Sequence, residues 1–186
     1  MSVPTDLDRR FREAAGRSGL LDAGYDLVDS PVGSLLVAVS DRGLLRISFD
    51  PTPEASLEAL ARLAGPSILH APRLVDRARL ELDEYFSGSR RAFDLTLDLR
   101  AASPFTVRVL GELQRVPFGE TATYAELAAR AGNARAARAV GMIMNRNPVP
   151  IVLPCHRVLG AGGRLVGYGG GLDRKVALLR LEGVLI

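Results

Sequence analysis

The chain has 186 residues, 47% of them hydrophobic and 24% charged, which excludes disorder as its main state and permits a core without staples. One cysteine, Cys155, and two histidines, His70 and His156, leave no material for an intrachain disulfide or a cysteine-rich zinc site, so no metal and no cofactor is expected. The net charge of +3 is mild, but between Thr121 and Leu172 six arginines stand against one acidic residue, Glu126, so that half would show an anion a positive face.

A polar arm over residues 1–21 opens the chain, with one helix across Asp8–Ala15. It has no apolar core of the signal-peptide kind, and no later apolar run approaches the roughly 18 residues of a membrane span. A reduced cytoplasmic compartment and no membrane partner are therefore expected. Three apolar runs follow, Tyr25–Ser30, Ser34–Ser40 and Leu44–Phe49, split by turns at Pro31–Gly33 and Asp41–Gly43. Such runs broken by glycine turns predict an antiparallel meander. Pro53 sits near a helix start, with Glu54–Leu63 behind it. Arg73–Phe86 is a stronger helix, its stripe formed by Leu74, Val75, Ala78, Leu82, Tyr85 and Phe86. Phe93–Leu99 alternates strictly and predicts a strand with one face buried.

Ala101–Pro104 is the expected domain joint, after which the pattern turns helical. Ser103 fits an N-cap with Pro104 at the first helical position, and Phe105, Val109, Leu110 and Leu113 form the stripe. Thr121–Arg130 is the next helix, with Thr123 and Glu126 at capping-box spacing. Gly132-Asn133 makes a tight turn into a third helix, Ala134–Asn145. Two short helices joined this way fit a helix-turn-helix, and a plain helical hairpin equally. The second is nearly bare on one side, at Ala134, Ala136, Ala137, Ala139 and Gly141, with Arg135 and Arg138 at its edge. That surface lets a partner's backbone or a nucleic-acid groove come close. The expected class is thus α+β. Residues 22–100 form a small N-terminal domain with an antiparallel sheet and helices. Residues 101–186 form a mostly helical domain carrying the helix-turn-helix and the cysteine.

Cys155 sits in Asn147-Pro-Val-Pro-Ile-Val-Leu-Pro154-Cys155-His156-Arg157-Val158. A lone cysteine is usually a small buried hydrophobe, and inert. Here three prolines hold its approach, a histidine is adjacent, and seven glycines follow between Gly160 and Gly171. Glycine permits close backbone approach to a ligand, and a neighbouring base or cation makes a thiol a nucleophile.

Pro154-Cys155-His156-Arg157-Val158 resembles the active-site motif of the O6-alkylguanine-DNA alkyltransferases, the methylated-DNA–protein-cysteine methyltransferases. Tyr124, Gly132-Asn133, Ala136–Gly141, Asn147-Pro148, Gly169–Gly171 and Leu181–Gly183 fall in family order, so the resemblance is strong from Ser103 to Gly183 and faint before it. It implies direct-reversal repair of DNA, in which a flipped-out O6-alkylguanine, and by extension O4-alkylthymine, surrenders its alkyl group irreversibly to Cys155. By the same resemblance His156 takes the thiol proton through a water and Glu182 orients the imidazole and favours its protonated form. Tyr124 donates to guanine N3. The carbonyls of Cys155 and Val158 and the Gly169 amide meet the base, Tyr168 and Met144 wall its pocket, and Asn147 ties the helix-turn-helix to the cysteine segment. Arg138 fills the gap in the stack, Arg135 meets phosphate, and Ala136, Ala137, Ala139 and Gly141 lie in the minor groove of double-stranded DNA with little sequence readout. Lys175 reads as a solvated lysine, Arg157 as a structural arginine, and His70 as a surface residue. The chain is expected to act as a monomer. A protein that binds alkyl lesions and marks them for excision is the alternative; such relatives replace the cysteine. An unrelated Cys–His hydrolase and a transcriptional regulator fit less, for want of an oxyanion signature and of base-reading side chains.

Overall fold

The computed structural model describes residues 21–184, so the N-terminal arm and its expected helix lie outside the described residues, Leu21 excepted. The chain divides into two compact units. One runs through Glu84 and takes in Asp94–Asp98, and the other holds Tyr85–Phe93 and everything from Leu99.

The first unit contains the expected meander: β1 (Ala23–Val28), β2 (Leu35–Ser40) and β3 (Gly43–Phe49), each antiparallel to its neighbour. Helix α1 (Pro53–Ala64) follows, and β4 (Ile68–His70) then pairs in parallel with β1, giving the order β3-β2-β1-β4. Three residues are too few to reveal an alternation, which is why the sequence hid β4. Ala23, Leu36, Ala38, Leu45 and Leu60 form the core between sheet and α1. Helix α2 (Pro72–Phe86) buries Val75, Ala78, Leu82 and Tyr85 as its spacing predicts. Leu74 departs from the stripe at 41% exposed, because it lies over the bare backbone of Gly24 rather than in the core. His70 is exposed, as read, yet its Nε2 lies 2.6 Å from Asp26 Oδ1.

The expected strand Phe93–Leu99 does not form. Only Leu97 bridges to Leu44, through Leu44 N–H to Thr96 O (2.8 Å) and Asp98 N–H to Leu44 O (2.9 Å). Side chains hold this segment instead of a ladder: Glu81 accepts from the Asp94 amide (2.7 Å) and Ser40 donates to Asp98 (2.6 Å).

In the second unit α3 (Pro104–Gln114) starts as expected, with Ser103 accepting from Thr106 N–H at 3.2 Å and Val109, Leu110 and Leu113 buried. Residues 121–123 are not helical: β5 (Ala122–Thr123) precedes α4 (Tyr124–Arg130), and the Thr123–Glu126 capping box is complete. Gly132 at φ +87° ends α4, with Gly132 N–H to Ala129 O and Asn133 N–H to Ala128 O. Those two bonds are a Schellman stop, which requires a left-handed residue where this chain has glycine. Helix α5 (Ala137–Asn145) begins three residues later than its composition suggested. Asn133 causes the delay by accepting from the amides of Arg135 and Ala136 through its side chain and carbonyl. Arg135 therefore precedes the helix, and Arg138 lies in its first turn. A 3-10 turn (Cys155–Arg157), β6 (Val158–Leu159) and α6 (Leu172–Leu181) complete the unit. No described helix is long and apolar enough to cross a membrane.

Gly43 has φ +128°, and a Cβ there would lie 2.3 Å from Thr96 O. Gly43→Ala is expected to lower stability by about 1–3 kcal/mol, the scale of backbone strain in a disallowed region, as read by thermal or urea denaturation.

Candidate active site

A two-residue ladder assembles the site. Strands β5 and β6 pair in parallel, Ala122 with Val158 and Thr123 with Leu159. Tyr124 directly follows β5, and the Cys155–Arg157 turn directly precedes β6, so the ladder brings two distant stretches of chain together. The Tyr124 ring also faces Gly141 of α5, where an added Cβ would meet it at 3.8 Å.

The loop before the cysteine is held by one side chain. Asn147 Oδ1 accepts from Val149 N–H (3.1 Å), and its Nδ2 donates to Leu153 O (2.7 Å) and to Cys155 Sγ (3.0 Å). The first two bonds fix the amide, so its N–H is aimed at sulfur. Burial pushes the Cys155 thiol up to about 11, although the Asn147 hydrogen bond, the Lys175 charge and a hydrogen bond with Tyr168 all favour thiolate. At neutral pH the sulfur therefore rests as a thiol. Burial, with the neighbouring sulfur, also pushes the phenols of Tyr124 and Tyr168 up, so both stay protonated as donors.

His156 is 0% exposed. Its Nε2 lies 2.8 Å from Glu182 Oε1, while Nδ1 has no hydrogen-bond partner among the described residues. Burial first, and the Glu182 hydrogen bonds from His156 and Arg157 against it, leave the Glu182 carboxyl at about 2. An ionised carboxylate can only accept, so Nε2 carries the hydrogen and Nδ1 keeps its lone pair. Burial lowers the His156 pKa, outweighing Glu182, and the charges of Arg157 and Lys175 add to the lowering. Glu182 does favour the protonated form, as expected, but burial outweighs it. The resting pair is neutral imidazole and thiol.

Glu182 caps the C-terminal end of α6, a position the helix dipole disfavours for an anion. Five donors hold it there. Oε1 accepts from His156, Arg157 Nη2 (2.9 Å) and Tyr85 OH (2.7 Å), and Oε2 from Arg157 Nε (2.8 Å) and Gly119 N–H (3.3 Å). Gly183 at φ +78° ends the helix with a second Schellman stop, Gly183 N–H to Arg180 O and Val184 N–H to Leu179 O. Arg157 does bond backbone, at Val116 O (2.6 Å), but its main partner is Glu182. Tyr85, read only as part of an apolar stripe, and Gly119 are the members that sequence reasoning missed. No spacing signal ties either to Glu182, which lies 97 residues from Tyr85 and 63 from Gly119.

Lys175 is not solvated. It is 0% exposed, and its Nζ donates to Val158 O (2.5 Å) and Val166 O (3.3 Å). The Val158 carbonyl thus already serves the lysine, and only its second lone pair is open. Met144 is buried, Tyr168 half-buried and Gly169 exposed; a Cβ on Gly169 would sit 3.2 Å from Asn145 O. Ala136, Ala137, Ala139 and Gly141 are half-buried, and Arg135, Arg138 and Met142 are exposed. Among the described residues no group of three or more His, Cys, Asp or Glu side chains could hold a metal ion.

Two domain profiles of one family match the chain. The 6-O-methylguanine DNA methyltransferase ribonuclease-like domain covers residues 24–99, and the DNA binding domain of the same family covers residues 104–184. A methylated-DNA–protein-cysteine methyltransferase of Mycolicibacterium paratuberculosis is 46% identical over 85% of this chain and 91% of its own. Its counterpart in Methanosarcina barkeri is 40% identical over 85% and 96%. Among solved structures, a Mycobacterium tuberculosis protein named OGT, in complex with DNA, superposes with a TM-score of 0.75 at 39% identity, over 86% of this chain and 92% of that one.

Thiolate absorbance against pH checks the resting state of the site: Cys155 is expected to titrate with a midpoint near 11. A free thiol titrates at about 8.5.

Proposed function

The chain belongs to the 6-O-methylguanine DNA methyltransferase family, and on that premise we propose that it repairs DNA by direct reversal, as a single-turnover methylated-DNA–protein-cysteine S-methyltransferase. The observation that carries the reading is a buried thiol aimed by Asn147, beside an imidazole with one nitrogen locked to Glu182 and the other open. We propose Cys155 as the acceptor. Its proton passes through a water to His156 Nδ1, and the sulfur attacks the alkyl carbon. The carbon–O6 bond breaks, its electrons go to the guanine, and the Tyr124 phenol donates a proton to N3 so that the base leaves neutral. Glu182 offsets the imidazolium formed in that step, which is when its charge becomes useful.

Extrusion of the base is required because the buried thiol cannot meet an alkyl group inside a stacked duplex. We read α4 and α5 as a helix-turn-helix whose small face, Ala136, Ala137, Ala139 and Gly141, enters the minor groove. Arg138, exposed in the first turn of α5, fills the space that the base leaves, and Arg135 meets phosphate. Met144, Tyr168, the Gly169 amide and the open lone pair of Val158 O surround the base. Few polar side chains on α5 could read base edges, so the lesion rather than the sequence selects the site. O4-alkylthymine is a second proposed substrate, the monomer the proposed form, and the reducing cytoplasm the proposed compartment. The lesion-marking alternative has Cys155 against it.

Intact-mass analysis with peptide mapping, after incubation with duplex DNA holding one O6-methylguanine, tests the reading. One methylene gained on Cys155, at most one per molecule, is expected. Tight lesion binding without gain would instead favour the damage marker. Tyr124→Phe is expected to slow the single-turnover rate by about 10²-fold or more, the range of general acid catalysis, while lesion-free DNA binds as before.

A further inference from the structure

Tyr85 stands at the end of α2 and has no part in the alkyl transfer described above. It is 0% exposed, yet carries a hydroxyl. A buried hydroxyl costs free energy unless it is bonded, and a phenylalanine would fill the same apolar setting without that cost. Its ring packs against Phe86 and Phe93 (centroids 5.3 Å each) and Phe118 (6.1 Å). The hydroxyl crosses that aromatic packing to one acceptor, Glu182 Oε1, at 2.7 Å. That oxygen is the one His156 Nε2 uses.

We propose that Tyr85 is a positioning residue for alkyl transfer, its hydroxyl taking a share of the Glu182 Oε1 electron density that would otherwise go to His156. The inference rests on the alkyl-transfer reading of the site. A carboxylate oxygen that already accepts from Tyr85 and Arg157 is a weaker partner for the imidazole. His156 therefore stays neutral and its Nδ1 lone pair stays free for the thiol proton. The charged and titratable groups that act on His156 are Glu182 at the end of α6, Lys175 within α6, and Arg157 beside it on its own turn. Around Glu182 they are His156, Arg157 and Tyr85. Arg157, which also meets the Tyr85 hydroxyl, and Lys175 disfavour imidazolium as well, and both remain when that hydroxyl is removed. The sign follows: without that donor, Oε1 binds the Nε2 hydrogen more strongly, imidazolium is favoured, and the His156 pKa rises.

The chain has two histidines, so an NMR titration of the full protein reads His156 directly. Tyr85→Phe, which keeps the ring packing, is expected to raise the His156 midpoint by about one pH unit, and the acid limb of the single-turnover rate on O6-methylguanine DNA moves up with it. Phe93→Leu disturbs the packing but not the hydroxyl, and is expected to lower thermal stability with the His156 midpoint in place. An unmoved midpoint in Tyr85→Phe, or an equal shift in Phe93→Leu, overturns the proposal and leaves Tyr85 as packing. In the unmodified protein the Tyr85 hydroxyl proton is expected as a slowly exchanging resonance, so its absence overturns the proposal even should the variant not fold. A protein inactive at every pH would defeat the alkyl-transfer reading instead, since the titration arm needs no activity.

Discussion

One buried carboxylate organises the second unit. Ionised Glu182 is 5% exposed at a helix end whose dipole repels it, and an unpaired charge there would cost several kcal/mol. Its five hydrogen bonds come from three places: the end of α2, the loop at Gly119, and the turn that bears His156 and Arg157. Each segment must arrive correctly for the charge to be tolerated. The arrangement that satisfies Glu182 is therefore also the one that fixes the imidazole.

The same burial sets the resting chemistry. A thiol near 11 is ionised in about one molecule in 10⁴ at pH 7. A neutral imidazole beside it is a base waiting for a proton. Such a pair is quiet toward solvent oxidants, which attack thiolate. In the proposed transfer it becomes reactive when proton transfer and carbon–sulfur bond formation happen together. For an acceptor proposed to work once, that is the sensible resting state, since a sulfur oxidised beforehand is a molecule lost.

Local signals were legible wherever the chemistry was local. The Ser103 cap, the Thr123–Glu126 box, the Gly132 stop and the meander all rest on residues within a few positions of one another, and all formed. The Cys155–His156 pair and Asn147 could be picked out because they are close in sequence and carry a family motif. What stayed hidden depends on distance. Phe93–Leu99 has a strand's alternation, but among the described residues it makes a single bridge, Leu97 to Leu44, and side chains from α2 and β2 took over. Lys175 looked solvated because nothing in its neighbourhood discloses two carbonyls waiting for it. Tyr85 and Gly119 gave no sign at all. The protonation state of His156 also escaped, because the sequence offers the carboxylate but not the burial that outweighs it.

Strain completes the picture at the cysteine. Ile151, fully buried and β-branched, has φ +76°, a conformation that costs such a residue about 1–3 kcal/mol. It lies between Pro150 and Val152, inside the span whose ends Asn147 clamps through Val149 N–H and Leu153 O. A relaxed loop would spread over many conformations and present the sulfur in each of them. Here Leu153 N–H returns to Val149 O (2.9 Å) and Cys155 N–H to Leu153 O (2.8 Å), so the strained residue is enclosed by bonds on both sides. The side chain that encloses it is the one that donates to Sγ. Loss of the Asn147 amide would therefore release the backbone strain and the sulfur together, which makes this residue the mechanical link between loop geometry and nucleophile direction.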